Sequence, residues 1–178
     1  MGKLTLVTGG CRSGKSAFAQ NLAEKSGRAR YFIATAQALD GEMAERIALH
    51  MKKREGKGFT VIEEPLDLAG AIESVPAGCV AIVDCLSLWV SNMMLAHDGV
   101  KENDIASAAL EFLNQAKASG ADFIFVTNEV GLGIVPDNAM GRSYRDLLGR
   151  ANQQTAAMAD GVYMLISGIP LSLKNGGS

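Results

Sequence analysis

The sequence predicts a three-layer α/β domain, with helices on both faces of a parallel sheet, and three observations carry that prediction. Short apolar runs rich in β-branched residues alternate with longer helical patterns along the whole chain. Several of the runs are continuous rather than alternating, as strands buried on both faces are. The first run also opens into a glycine-rich turn that leads directly into a helix.

Taken in order, LTLV (residues 4–7) is the first expected strand, followed by the turn and a helix over SAFAQNLAEK (16–25). RYFIA (30–34) is the second strand. ERIALHMKKR (45–54) then has Met43, Ile47 and Met51 at helical spacing, a stripe expected to dock on the core. FTVI (59–62) is a strand, DLAGAIESV (67–75) a helix, and VAIV (80–83) a strand running into a helix over 87–97. A helix at 102–118, the strand DFIFV (122–126), a helix at 144–159 and the strand VYMLI (162–166) complete the alternation. On the last helix Tyr144, Leu148, Ala151 and Met158 form the expected core row. With no internal repeat or long linker, residues 1–174 read as a single domain and 175–178 as a flexible tail.

Bulk composition narrows the function. Hydrophobic residues are 48% of the chain and charged ones 20%, with a net charge of -2, as in soluble globular proteins. A nucleic-acid partner is not expected, since it would call for a basic excess. Cys11, Cys79 and Cys85 lack metal-ligand spacing and read as reduced thiols of a cytoplasmic protein. No signal-peptide core precedes the first glycines. The apolar stretch at 79–96 holds Asp84, Ser87, Ser91 and Asn92, which argues against membrane insertion.

Ligands of open α/β sheets bind beyond the carboxyl ends of the strands. After the first strand, Gly9, Gly10, Cys11, Arg12, Ser13, Gly14, Lys15 and Ser16 fit G-x-x-x-x-G-K-[ST]. Backbone amides and the helix N-terminus can wrap phosphates there, Lys15 can reach the β and γ oxygens, and Ser16 can ligate magnesium. Asp84, at the end of VAIVD, is placed to hold the same metal through water; the other reading is a cap for the next helix. Thr35, Ala36 and Gln37 follow the second strand and are expected to face the crevice. Glu63 and Glu64 follow the third, where a carboxylate could accept the N1 and N2 protons of guanine or simply be solvated. Asn128 and Glu129 end the fifth strand; Glu129 is a candidate base, and the glycines after it suit a loop that closes over substrate. The polar face of the last helix, with Arg142, Arg145, Asp146, Arg150, Asn152 and Gln153, has nucleotide or a neighbouring subunit within its possible reach.

His50 lies between Arg46 and Arg54, each one helical turn away. Such a row is often only a solvated face. Alternatively, the flanking cations disfavour the imidazolium, leave a neutral nucleophilic ring, and hold a phosphate beside it. His97, in AHDG, has no such company and reads as a cap or surface residue.

In this order, GGCRSGKS, ATAQALDGEMAERIALHMKKR, VDCLSLWVSN, TNEVGLGIVP, RDLLGRANQ and SGIPLSLK closely resemble the bifunctional adenosylcobinamide kinase and adenosylcobinamide-phosphate guanylyltransferase family of cobalamin biosynthesis. The similarity runs from the first strand to Lys174. It implies a RecA-like P-loop fold, mainly parallel with an antiparallel strand from GIPLSLK, and a homotrimer. It implies that the hydroxyl of adenosylcobinamide takes the γ-phosphoryl of ATP or GTP, with Mg2+, after which a histidine carries GMP from GTP to the new phosphate. The family's R-I-x-x-H-x-x-x-R setting makes His50 that histidine. It brings Arg46, Met51, Lys52, Lys53, Arg54 and Glu63 into the expected nucleotide site beside the phosphate loop, Thr35, Ala36, Gln37 and Asp84. Two positions depart from many relatives: Leu49 stands where a second histidine often precedes the guanylylated one, and Asp84 where some have glutamate. The alternatives are a P-loop kinase without guanylyl transfer, a RecA-like ATPase module acting on DNA, and a non-catalytic nucleotide switch.

Overall fold

The computed structural model describes residues 1–38, 40–97 and 99–175. The side chains of Arg46, His50 and Lys53 lie outside the described residues, as do residues 176–178 of the expected tail.

Strands β1 (Leu4–Gly9), β2 (Arg30–Ala34), β3 (Phe59–Glu63), β4 (Val80–Asp84), β5 (Asp122–Val126), β6 (Gly161–Ile166) and β7 (Ile169–Lys174) form one seven-stranded sheet in the order β3-β2-β4-β5-β1-β6-β7. Every pairing is parallel except that of β6 with β7, which is antiparallel. The hairpin joining them turns at Ser167 and Gly168, both at positive φ (52° and 87°), the conformation that matches the twist of a two-residue hairpin.

Period-two alternation divides the strands between two cores. From β4, Ala81 and Val83 enter one and Val80 and Ile82 the other; from β5, Phe123 and Phe125 oppose Ile124 and Val126. The larger core is covered by α3 (Leu68–Glu73), α4 (Leu86–Ala96), α5 (Glu102–Ala118) and α6 (Ala139–Met158). The smaller is covered by α1 (Lys15–Lys25), through Ala19 and Ala23. This is the expected three-layer α/β architecture, with the antiparallel strand at the C-terminal edge.

Two expectations change. Helix α2 (Gly41–Arg54), capped by Asp40 accepting from the Met43 amide, does not dock through Met43, Ile47 and Met51. None of the three enters either core, and Met51 is 49% exposed. The helix meets the body at its last residue, Arg54. Helix α6 begins at Ala139 rather than at Tyr144, because Asn138 caps it at the Gly141 amide (2.7 Å). Its first turn is largely exposed and so has no apolar period to read. In its core row Leu147 and Thr155 are buried with Leu148 and Ala151, while Tyr144 and Met158 pack at the margin.

Candidate nucleotide and phosphoryl-transfer site

The glycine-rich loop follows β1 directly. Gly9 has φ 141°, and a Cβ there would meet the Leu165 carbonyl oxygen at 2.4 Å, so only glycine fits between β1 and β6. Gly14 caps α1. From the far side the hairpin turn braces the loop, the Gly168 amide donating to the Ser13 carbonyl (3.0 Å). The Ser13 hydroxyl is buried and has no partner among the described residues. An orphaned buried hydroxyl inside an amide-lined loop suits a phosphate oxygen. Gly10, Cys11 and Arg12 lie on the exposed rim. Lys15 reaches back to the Gly10 carbonyl at 2.5 Å and is largely buried. Desolvation lowers its pKa, with Cys85, Cys11 and the Asp84 carboxylate acting in the opposite direction.

Asp84 ends β4, between β2 and β5, level with Ala34 and Val126. The N-cap position of α4 is taken by Cys85, one residue further on. Asp84 and Ser16 offer oxygen donors alone, and among the described residues no three His, Cys, Asp or Glu side chains gather as a metal cage. That donor set fits magnesium, which takes few protein ligands and keeps phosphate and water oxygens.

Thr35 differs from expectation. It is fully buried, and its hydroxyl is used twice on one residue, donating to the Cys85 carbonyl and accepting from the Cys85 amide, both at 2.8 Å. Its amide donates to the Asp84 carbonyl (3.2 Å) and its own carbonyl accepts from Asn92 (2.7 Å). Thr35 therefore fixes the backbone that presents Asp84 and leaves the crevice to the partly exposed Ala36 and Gln37. Glu64 is likewise structural, its carboxylate accepting from the Leu66 and Asp67 amides. Glu63 remains exposed at the end of the edge strand.

Arg54 is 8% exposed, with its guanidinium carbon 3.7 Å from the centroid of the Phe32 ring. Phe59 meets Phe32 edge-on. The Arg54 Nε has no partner among the described residues. Burial lowers its pKa, and the Asp84 carboxylate acts the other way. Arg54 and Lys15 thus both respond to Asp84, which brings the end of α2 and the phosphate loop into one electrostatic cluster. Met51, Lys52, Arg54, Phe59 and Val61 line an open groove beside it, about 860 Å³ in volume. His50 is carried on α2, one turn before Arg54.

A family profile described as cobinamide kinase / cobinamide phosphate guanyltransferase matches residues 5–173. The chain belongs to this CobU family. It is 42% identical over 170 residues to the bifunctional adenosylcobalamin biosynthesis protein CobP of Pseudomonas aeruginosa, covering 95% of the chain and 96% of the relative. It is 36% identical to the bifunctional adenosylcobalamin biosynthesis protein CobU of Escherichia coli, covering 96% and 99% respectively. Among solved structures, the flagellar accessory protein FlaH of Methanocaldococcus jannaschii superposes with a TM-score of 0.55 at 16% identity, covering 99% of the chain and 81% of that protein. That likeness concerns the fold alone, which is RecA-like. As a CobU family enzyme the chain is a cobinamide kinase and cobinamide-phosphate guanylyltransferase that uses nucleoside triphosphates. Among the described residues no helix is long and apolar enough to cross a membrane.

Some residues shape this CobU family site from within the fold rather than from its crevice. Asn92 of α4 donates to the Thr35 and Pro65 carbonyls, and Trp89 to that of Leu66 (2.9 Å), so α4 ties the exits of β2 and β3 together. Asn128 donates to Ser87 Oγ (3.0 Å), and Tyr144 donates to the Ser87 carbonyl (3.1 Å). The readable signal was a polar residue, Asn92, in an apolar helix. Arg142 and Arg145 bond carbonyls of the loop after β5. Glu129 accepts from the Gly131 amide in the same loop. His97 is the exposed C-cap of α4, as expected.

Proposed function

We propose that this enzyme phosphorylates adenosylcobinamide with ATP or GTP and then transfers GMP from GTP through a covalent His50–GMP intermediate, giving adenosyl-GDP-cobinamide and pyrophosphate. The observation that carries the reading is the phosphate loop, with the Ser13 hydroxyl buried and without a partner among the described residues and Lys15 turned back to the Gly10 carbonyl, together with Arg54 seated on Phe32 at the end of the helix bearing His50.

In the first step, loop amides, Lys15 and the Ser13 and Ser16 hydroxyls hold the triphosphate. The substrate hydroxyl oxygen bonds the γ-phosphorus, the bond to the β-phosphate oxygen breaks, and the hydroxyl proton leaves to a base. Ser16 and Asp84 would hold magnesium, which would offset the charge of the phosphates.

In the second step, a ring nitrogen of His50 bonds the α-phosphorus of GTP and pyrophosphate leaves. A phosphate oxygen of adenosylcobinamide phosphate then displaces the histidine, forming the pyrophosphate linkage and restoring the neutral ring. Arg46 and Arg54, with Lys52 and Lys53, offset the charge of the α-phosphate. Met51 and Glu63, with Ala36 and Gln37, complete the nucleotide site. Glu63 is suited to the guanine N1 and N2 protons, and Thr35 acts from below as a strut. Exposed Ile169, Leu171 and Leu173 on β7 support assembly, proposed as a homotrimer in the cytoplasm.

The test is intact-protein mass spectrometry after incubation with GTP and magnesium, on the wild type and His50→Ala. The expected result is a GMP adduct that survives base, is lost in acid, and is missing from the variant. Normal phosphorylation of cobinamide with no adduct would reduce the enzyme to a kinase.

A further inference from the structure

The loop between β5 and α6 exposes Leu132 (79%), Ile134 (97%) and Val135, yet it is not loosely held. Arg145 donates to the carbonyls of Gly131 (2.7 Å) and Gly133 (3.4 Å), and Arg142 to those of Pro136 (3.0 Å) and Asp137 (2.8 Å). Glu129 closes the near end by accepting from the Gly131 amide at 2.7 Å. Two arginines and a carboxylate are thus used to present aliphatic side chains to solvent, the reverse of how a polar surface loop is built. Exposed aliphatic side chains held in place in this way suit a binding face.

Its position ties it to the phosphate loop. The Glu129 amide donates to the carbonyl of Gly9, the first glycine of the phosphate loop, at 3.1 Å. Leu132 is three residues further on, no more than about 11 Å along the chain. A kinase for cobinamide must hold a bulky corrin macrocycle, which carries methyl groups as well as amides around its rim, while one hydroxyl-bearing arm reaches the γ-phosphate. A second copy of the chain is the competing occupant, but β7 already offers it Ile169, Leu171 and Leu173 at the opposite sheet edge from β3.

We propose that the ridge formed by Leu132, Ile134 and Val135 receives the corrin macrocycle of the substrate, with Arg142 and Arg145 as positioning residues that hold the ridge in shape. The inference rests on the activity of the CobU family. It adds a binding surface that the phosphate loop and α2 do not supply.

The test compares wild type with the double variant Leu132→Ser, Ile134→Ser, both positions being exposed and outside the cores. The readouts are KM for adenosylcobinamide, Kd for GTP, and the sedimentation coefficient. Losing two aliphatic contacts is expected to raise the corrinoid KM by about tenfold or more. Kd for GTP and sedimentation should stay at wild-type values. An unchanged corrinoid KM overturns the proposal, and so does an altered sedimentation coefficient, which would assign the ridge to a contact between copies. A wild-type protein that binds GTP but phosphorylates no adenosylcobinamide would refute the functional reading itself, before any variant is compared.

Discussion

The guanidinium of Arg54 stacks on the ring of Phe32, 3.7 Å from its centroid, at the point where α2 rejoins the body of the enzyme. A buried cation whose Nε has no partner among the described residues is costly to keep for stability alone. Arg54→Met is therefore expected to leave stability within about 1 kcal/mol of wild type or raise it, while weakening GTP binding about tenfold or more. Arg54→Lys keeps the charge but loses the planar stack and should also bind weakly. Thermal unfolding and nucleotide titration, run side by side, check the pair; a variant that binds GTP normally would remove Arg54 from the site.

Lys15 predicts a pH dependence. Its pKa lies below the ordinary 10.5 because burial disfavours the ammonium, and only the ammonium attracts phosphate. Nucleotide affinity should therefore fall as pH rises through that lowered value, before ordinary lysines titrate. Isothermal titration from neutral to alkaline pH would show the loss in wild type. Lys15→Met should be weak throughout and flat over the same range.

The strut under Asp84 predicts a different phenotype. Thr35→Val preserves shape but leaves the Cys85 amide and carbonyl without the Thr35 hydroxyl, which should destabilise by about 2–3 kcal/mol. Asn92→Leu strands the Thr35 and Pro65 carbonyls and should act similarly. Urea denaturation gives both values. A Thr35→Val protein of wild-type stability would contradict the buried bonds.

At the opposite end of the sheet, Asp160 accepts from Lys117 (2.8 Å) and from the Leu4 amide (2.7 Å). Partial burial works against its ionisation, but Lys117, the Leu4 amide and Lys3 outweigh it and hold the carboxyl below its ordinary 3.8. A depressed carboxylate contributes stability above its unfolded pKa and loses that contribution as pH falls through the native one. Asp160→Asn should thus be less stable than wild type at pH 7, with the gap closing below 3.8. Denaturation midpoints at neutral and acid pH measure that convergence.

The sequence by itself determined the strands, the parallel three-layer architecture and the phosphate loop, because each is written in local chemistry: continuous β-branched runs, a glycine spacing, and a lysine and serine opening a helix. It also placed Asp84 at a strand end, since strand length counts out that position. What it misjudged had local chemistry that pointed the wrong way. Met43, Ile47 and Met51 keep a helical period yet stay out of the core, because α2 meets the body at Arg54 and an open groove separates Met51 from Phe59 and Val61 of β3. Thr35 has the residue type of a ligand contact but spends every polar atom on Cys85, Asp84 and Asn92. The tertiary structure alone decided that Arg54 rests on Phe32, that Asn92 ties two strand exits together, and that Arg142 and Arg145 brace an apolar ridge. Each joins residues 14 or more positions apart or shapes a loop from a neighbouring helix, and such pairings are set by strand order and packing rather than by any period the chain can display.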